Sequence, residues 1–302
     1  MLALPGGALR RRTPRQQRAA CTEMSEVAVQ TRFDEDTAVE RHGEDRFGAH
    51  CRAGWRVTDD AAPNGGYLMA IAARAMALRA ERPDPVTLTA HFLAPPVIGP
   101  LDVHTELVRA GGRHRTVAAR LLQGGVEQVR LLGTFGDLSR AEGPTRVLRR
   151  TPELPPIEDI PDALTAAGAA GIDVPEIFRR LEHRMPASTT GWTRGRPSGE
   201  GVHGGWCRWP DADTIDTVGL LFVADAYPPA VFDLGAGPVT WAPTIELTVQ
   251  VRARPAPGWL ATRFATRALT DGYFEEDGEI WDSTGRLVAL SRQLALVGRE
   301  RT

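Results

Sequence analysis

Two stretches of the chain repeat each other at a fixed distance. Leu88-Thr89 matches Leu247-Thr248, Pro96 matches Pro255, and Leu101 matches Leu260, each pair 159 positions apart. A constant offset through three landmarks argues for an internal duplication. The period is far longer than the roughly 20–50 residues of a stacked solenoid repeat, so the duplicated unit is a whole domain. A lone unit of strand, helix and meander leaves a sheet edge and an apolar face uncovered. Two such units in one chain are expected to cover each other, and therefore not to be separable.

The punctuation of the sequence agrees with two such units. In the first, Phe47 to Val57 reads as a strand and Asp59 to Gly66 as a turn cluster. Tyr67 to Arg79 is Ala- and Leu-rich with apolar residues nearly all round, the pattern of a buried helix. Strand-like runs follow at Val86 to Ala94, Leu101 to Arg109, Arg115 to Gln123 and Val126 to Phe135. Residues 138–176 read as a connector with a short helix near Ile160 to Ala170. The pattern then returns. Ile177 to Met185 and Gly205 to Trp209 read as strands, Thr217 to Leu234 as helical, and Thr244 to Ala253, Ala261 to Leu269, Tyr273 to Asp282 and Arg286 to Val297 as strands. The expected division is 24–137, a connector at 138–176, and 177–298. One buried helix followed by an antiparallel meander is an α+β signature.

Composition closes off several function classes. The net charge of −2 gives no global basic field for nucleic acid or a membrane surface. No apolar run approaches the length of a membrane span. The three cysteines are scattered and odd in number, which argues against a disulfide framework, and no C-x-x-C pair suggests zinc. A reducing, cytoplasmic compartment is expected. All 36 basic residues are Arg, which reads as the codon bias of a GC-rich, bacterial genome. Residues 1–23 carry Arg10, Arg11, Arg12, Arg15 and Arg18 with no apolar core, so they are not a secretory signal. They read as a transit peptide or, preferably, as an upstream start with Met24 the first residue, and are expected to be disordered.

One acid stands out. Leu220 to Leu234 is almost wholly apolar, yet Asp225 sits in its middle. A carboxylate in an apolar element is costly unless it is paired or hydrogen-bonded. Pro228 and Pro229 cannot continue a helix from upstream but are tolerated in a first turn. Asp225 therefore either caps a short following helix or faces inward and does chemistry.

A buried helix wrapped by an antiparallel sheet, duplicated in one chain, resembles the double hotdog fold, and the TesB-like acyl-CoA thioesterase family in particular. The likeness spans roughly residues 40–298. It is carried by Gly65-Gly66 opening the first helix, His91 to Pro95 in a strand, and Arg109-Ala-Gly-Gly-Arg113 as a hairpin turn. Ala224-Asp225, Thr244-Ile-Glu246 and Val288 to Gln293 complete the set. In that family a helix Asp, a strand Thr or Ser and a C-terminal Gln hold the hydrolytic water. The resemblance puts these roles on Asp225, Thr244 and Gln293. It implies two tandem antiparallel sheets each wrapping a helix, an acyl-CoA substrate, no cofactor and no metal, and it leaves room for a homo-oligomer.

The chemistry suits those residue types. Thioester hydrolysis needs an activated water and stabilisation of the developing oxyanion. A carboxylate orients or deprotonates the water, while a hydroxyl and an amide fix its remaining hydrogen bonds. No G-x-S-x-G nucleophile elbow is present. Gly65 and Gly66 can place backbone N–H groups at a helix N-terminus near the thioester, or form a plain turn with Asn64 as N-cap. Arg109, Arg113 and Arg115 can meet CoA phosphates or be solvated surface residues. His91 lies mid-strand beside Phe92 and reads more readily as a satisfied core histidine, though it belongs to the matched motif. A polyketide-type dehydratase on the same fold is the rival. Its H-x-x-x-G-x-x-x-x-P motif finds His50 and Gly54 but Asp59 in place of Pro, and its D-x-x-x-Q/H motif finds Asp225 followed by Pro229. A non-catalytic acyl-binding protein is the third reading.

Overall fold

The computed structural model describes residues 30–57, 62–169, 171, 174–235 and 242–298. The Arg-rich leader at 1–23 and the dehydratase-motif position Asp59 lie outside them. The elements, in chain order, are α1 (Arg32–Asp36), β1 (Glu40–Arg41), β2 (Arg46–Cys51), α2 (Gly65–Ala80), β3 (Asp84–Phe92), β4 (Gly99–Ala110), β5 (Arg115–Gln123) and β6 (Val126–Gly136). They continue with α3 (Ala163–Ala169), β7 (Glu182–Arg184), β8 (Val202–Arg208), α4 (Gly219–Val223), β9 (Thr244–Val251), β10 (Leu260–Ala265), β11 (Leu269–Thr270), β12 (Tyr273–Trp281) and β13 (Leu287–Leu296).

The strands form one antiparallel sheet in the order β1-β2-β4-β5-β6-β3-β9-β13-β12-β10-β8-β7, with β11 beside β12. Read outward from the centre, one side runs β3-β6-β5-β4-β2 and the other β9-β13-β12-β10-β8. Chain order is the same on both sides, as duplication requires. The fold is a double hotdog in which the two expected sheets join edge to edge. At the seam, Leu88 faces Val249, Thr89 faces Thr248 and Ala90 faces Leu247. Thr89 and Thr248 are 159 positions apart and their hydroxyls lie 2.8 Å from each other. Each is thus opposite its own duplicate, so a local two-fold passes between them. Pairing β3 with β9 removes the exposed edge that each half would otherwise present.

The central helix of the first half follows from its sequence. Asn64 accepts from the Tyr67 N–H at 2.9 Å and so caps α2. Its Ala-rich body is buried on nearly every side. Glu81, with φ of 50°, ends it in the left-handed conformation, just before Arg82-Pro83.

Four expected elements differ. The Phe47–Val57 strand ends at Cys51, because Trp55 turns inward in a 3-10 segment, stacks on Tyr67 at 4.9 Å and donates to Asp36 at 2.9 Å. Ile177–Met185 begins as a 3-10 turn entered from Pro175 that buries Ile177, and only Glu182–Arg184 is strand. The run from Ala261 leaves the sheet at Ala265 and returns as the two-residue β11. The Thr217–Leu234 stretch is helical only over Gly219–Val223. It resumes as a 3-10 segment at Ala230–Leu234, after Pro228-Pro229 has removed two consecutive N–H donors. Among the described residues, no helix is long and apolar enough to cross a membrane.

Candidate functional site

α2 and α4 meet at the N-terminal end of α2, and glycine makes the approach possible. A Cβ on Gly66 would stand 2.6 Å from the Leu221 carbonyl oxygen and 2.9 Å from the Phe222 Cα. A Cβ on Gly65 would stand 2.7 Å from the Phe92 ring and 3.0 Å from Asp225 Oδ2. Into this contact the chain directs Asp225. Its Oδ2 accepts from the Gly66 N–H at 2.8 Å and from Asn64 Nδ2 at 2.9 Å. The same Asn64 nitrogen donates to the Asp225 carbonyl at 2.7 Å.

Asp225 is therefore a cap, but of the other half's helix. The segment that follows it has no side-chain cap of its own. The donors at the start of α2 and the positive end of its dipole both favour a carboxylate here. Burial nevertheless dominates and pushes the Asp225 carboxyl up to about 6, against the opposing hydrogen bonds from Gly66, Gly65 and Asn64. An acid in that range is ionised at neutral pH and is a stronger base than an ordinary Asp.

The second cluster lies on β9, β12 and β13. Thr244 Oγ1 donates to Gln293 Oε1 at 2.9 Å, so two of the three expected water-holding residues touch directly. Gln293 Nε2 donates to Glu276 Oε1 at 2.8 Å, directly across the β12–β13 ladder. Glu276 Oε2 accepts from the Ala230 N–H, the first donor after Pro228-Pro229. Burial pushes Glu276 up to about 7, opposed by Ala230 and Gln293 and reinforced by the charges of Asp225 and Asp277. Asp225 and Glu276 thus feel each other, which links the two clusters.

Two participants escaped the sequence reading. Asn64 was visible as an N-cap but not as a partner of Asp225. Glu276 hides in the acidic run Glu275-Glu-Asp-Gly-Glu279. Period-two alternation gives it away, since it shares a strand face with Phe274 and Ile280, both buried.

Other expected site residues are not brought here. Alternation along β3 turns Phe92 toward Gly65 and leaves His91 exposed on the opposite face. Arg109 and Arg113 are exposed at the β4–β5 turn. That turn packs at the other end of α2: Arg82 reaches the Gly112 carbonyl at 2.8 Å, and Arg115 reaches the Ala80 carbonyl at 3.1 Å. A sixteen-residue helix separates the two ends by roughly 24 Å. Arg113 itself contacts the Glu142 carbonyl at 3.5 Å. His50 alternates with the buried Phe47 side of β2 and is exposed.

Residues 52–136 match the acyl-CoA thioesterase N-terminal domain and residues 153–297 the C-terminal domain of the same family. The chain belongs to the TesB-like acyl-CoA thioesterase family. A candidate thioesterase II from Thermobifida fusca is 31% identical, with 90% of this chain and 99% of that one aligned at a TM-score of 0.79. A hot dog fold protein of unknown function from Alicyclobacillus acidocaldarius is 23% identical, covering 89% and 98%, at a TM-score of 0.76. The acyl-CoA thioesterase II TesB2 from Mycobacterium marinum is 18% identical, covering 88% and 98%, at 0.66. The last two establish the fold alone. Membership in the TesB-like family accounts for the duplicated architecture. The roles of individual residues in this member rest on its own geometry.

Proposed function

We propose that this TesB-like chain hydrolyses acyl-CoA thioesters to the free acid and CoA, using a water held between Asp225, Thr244 and Gln293. The observation that carries the reading is a carboxylate held by the Gly66 N–H and Asn64 together with a Thr244–Gln293 hydrogen bond that Glu276 extends. In this reading the water oxygen attacks the thioester carbonyl and Asp225 takes its proton. Collapse of the tetrahedral intermediate breaks the C–S bond, and the departing CoA thiolate takes the proton from Asp225. The second amide N–H of Gln293 is available to the water or to the oxyanion. The Gly66 N–H is committed to Asp225, so Gly65 and Gly66 serve first to aim the carboxylate. No covalent intermediate is needed.

The test is turnover of an acyl-CoA panel from short to long chains, with free thiol detected. Steady release of CoA at catalytic enzyme concentration is expected. Stoichiometric binding without turnover would move the chain to the non-catalytic reading. The dehydratase reading needs His50 at Asp225, and His50 stands exposed on β2. His50→Ala is accordingly expected to leave turnover within a few-fold.

A further inference from the structure

We propose that Glu276 is a positioning residue for this reaction: it sets the polarity of the Gln293–Thr244 pair, so that Thr244 presents an acceptor to the water. The proposal rests on the functional reading above. A glutamine amide is nearly symmetric in shape, and its partners decide which end points where. An ionised carboxylate only accepts. Glu276 Oε1, 2.8 Å from Gln293 Nε2, therefore holds the NH2 end. The amide oxygen is left facing Thr244 at 2.9 Å, and the single hydroxyl hydrogen of Thr244 is used in that bond. What Thr244 has left is lone pairs. A water placed there gives one hydrogen to Thr244 and the other to Asp225, which leaves its own lone pair free for the carbonyl carbon.

Glu276 is suited to this because both of its oxygens are held, one by Gln293 and one by the Ala230 N–H. It is 5% exposed. The charged neighbours are accounted for. Asp225 faces it from the segment after α4 and raises its affinity for a proton. Asp277, next along β12, does the same more weakly, and its own carboxylate is tied to Arg292 and Arg267. Asp233, on the adjoining 3-10 segment, is bonded to Ser198. A proton on Glu276 converts the acceptor into a donor and allows the amide to turn over, which reverses the hydrogen bond at Thr244.

The consequence is a site with two acids that must both be ionised. Asp225 is held near 6 and Glu276 near 7, so turnover rises with pH as both lose their protons. The logarithm of kcat at acid pH should climb with a slope approaching two. Glu276→Gln should reduce that slope to one and move the midpoint down. It should also lower the plateau kcat by roughly 10²–10³, because the neutral amide stands in for the protonated acid, with KM little changed. Glu276→Asp keeps the charge and should keep the two-proton limb. A wild-type limb with a slope of one would overturn the proposal. So would a Glu276→Gln enzyme with the wild-type limb and kcat. If Glu276→Gln does not fold, the wild-type slope decides alone. Loss of turnover in Asp225→Asn beside an unaffected Glu276→Gln removes only the role of Glu276. A wild-type chain with no acyl-CoA turnover removes the functional reading and this proposal with it.

Discussion

The same unit occurs twice in this chain, yet its two helices have gone different ways. α2 runs sixteen residues, is capped by Asn64, and is buried on nearly all sides. α4 runs five residues and is stopped before Pro228-Pro229. The intact helix offers N–H donors at its start. The broken one frees Asp225 to accept them, and releases the Ala230 N–H to Glu276. A continuous helix would have used that N–H internally. Duplication thus lets one copy keep the structural role while the other loses helix and gains a half-buried acid, Asp225, and a buried one, Glu276.

The largest effect expected from testing this comparison comes from separating the halves. Residues 24–137 expressed alone should give no soluble, cooperatively unfolding monomer, because β3 loses β9 and α2 loses α4. A sharp thermal transition from monomeric protein, with no self-association in sedimentation, would break the mutual-cover account.

Gly66→Ala comes next. The added methyl meets backbone at Leu221 and Phe222, which cannot rotate away. A loss of about 1–3 kcal/mol in stability is expected. A drop in kcat beyond that attributable to unfolding is also expected, as the Asp225 carboxylate is displaced. Chemical denaturation together with turnover at saturating substrate checks both.

The smallest effect belongs to the seam. Thr248 gives its hydroxyl hydrogen to Glu246, so Thr89 is the donor between the two threonines. Thr89→Val removes that donor without changing shape and should cost about 0.5–1.5 kcal/mol. kcat should not move, since the seam lies outside the reacting groups. A change in turnover without a change in stability would show that the seam transmits to the site.

Much of this architecture was legible in the sequence, for identifiable reasons. The 159-residue offset matched Thr89 with Thr248 as duplicates, but that they face each other across the seam is set by the β3–β9 pairing. The Ala-rich run and its Gly-Gly start marked α2, and the proline pair marked the break after Asp225. Strand ends such as Cys51 and Ala265 were less legible, because they are set by where Trp55 packs and how the chain crosses to β11. The pairing of Thr244 with Gln293 was expected from family resemblance and not from spacing, since they are brought together by the β9–β13 ladder. His91, Arg109 and Arg113 were matched as motif residues, but a motif does not record which face of a strand or which end of a helix it occupies. Glu276 went unseen because one acid in a run of four looks like a solvated edge until alternation is counted.

The measurement that bears most directly on the account is Asp225→Asn, with turnover and thermal stability read at pH 5 and pH 8. The side-chain oxygen of Asn can still accept from Gly66 and Asn64, so the cap on α2 is kept while the base is lost. Because burial raises the Asp225 carboxyl to about 6, above its unfolded value, the native state favours the protonated form. Its contribution to stability is complete below about pH 4 and is lost as pH rises through 6. Removing the charge should therefore raise stability at pH 8 by about 1–2 kcal/mol, allowing for the part of the side chain that water reaches, and by less at pH 5. Turnover should fall by roughly 10²–10⁴. A variant that instead loses stability equally at both pH values and keeps turnover within tenfold would contradict the account, and would make Asp225 a helix cap and nothing more.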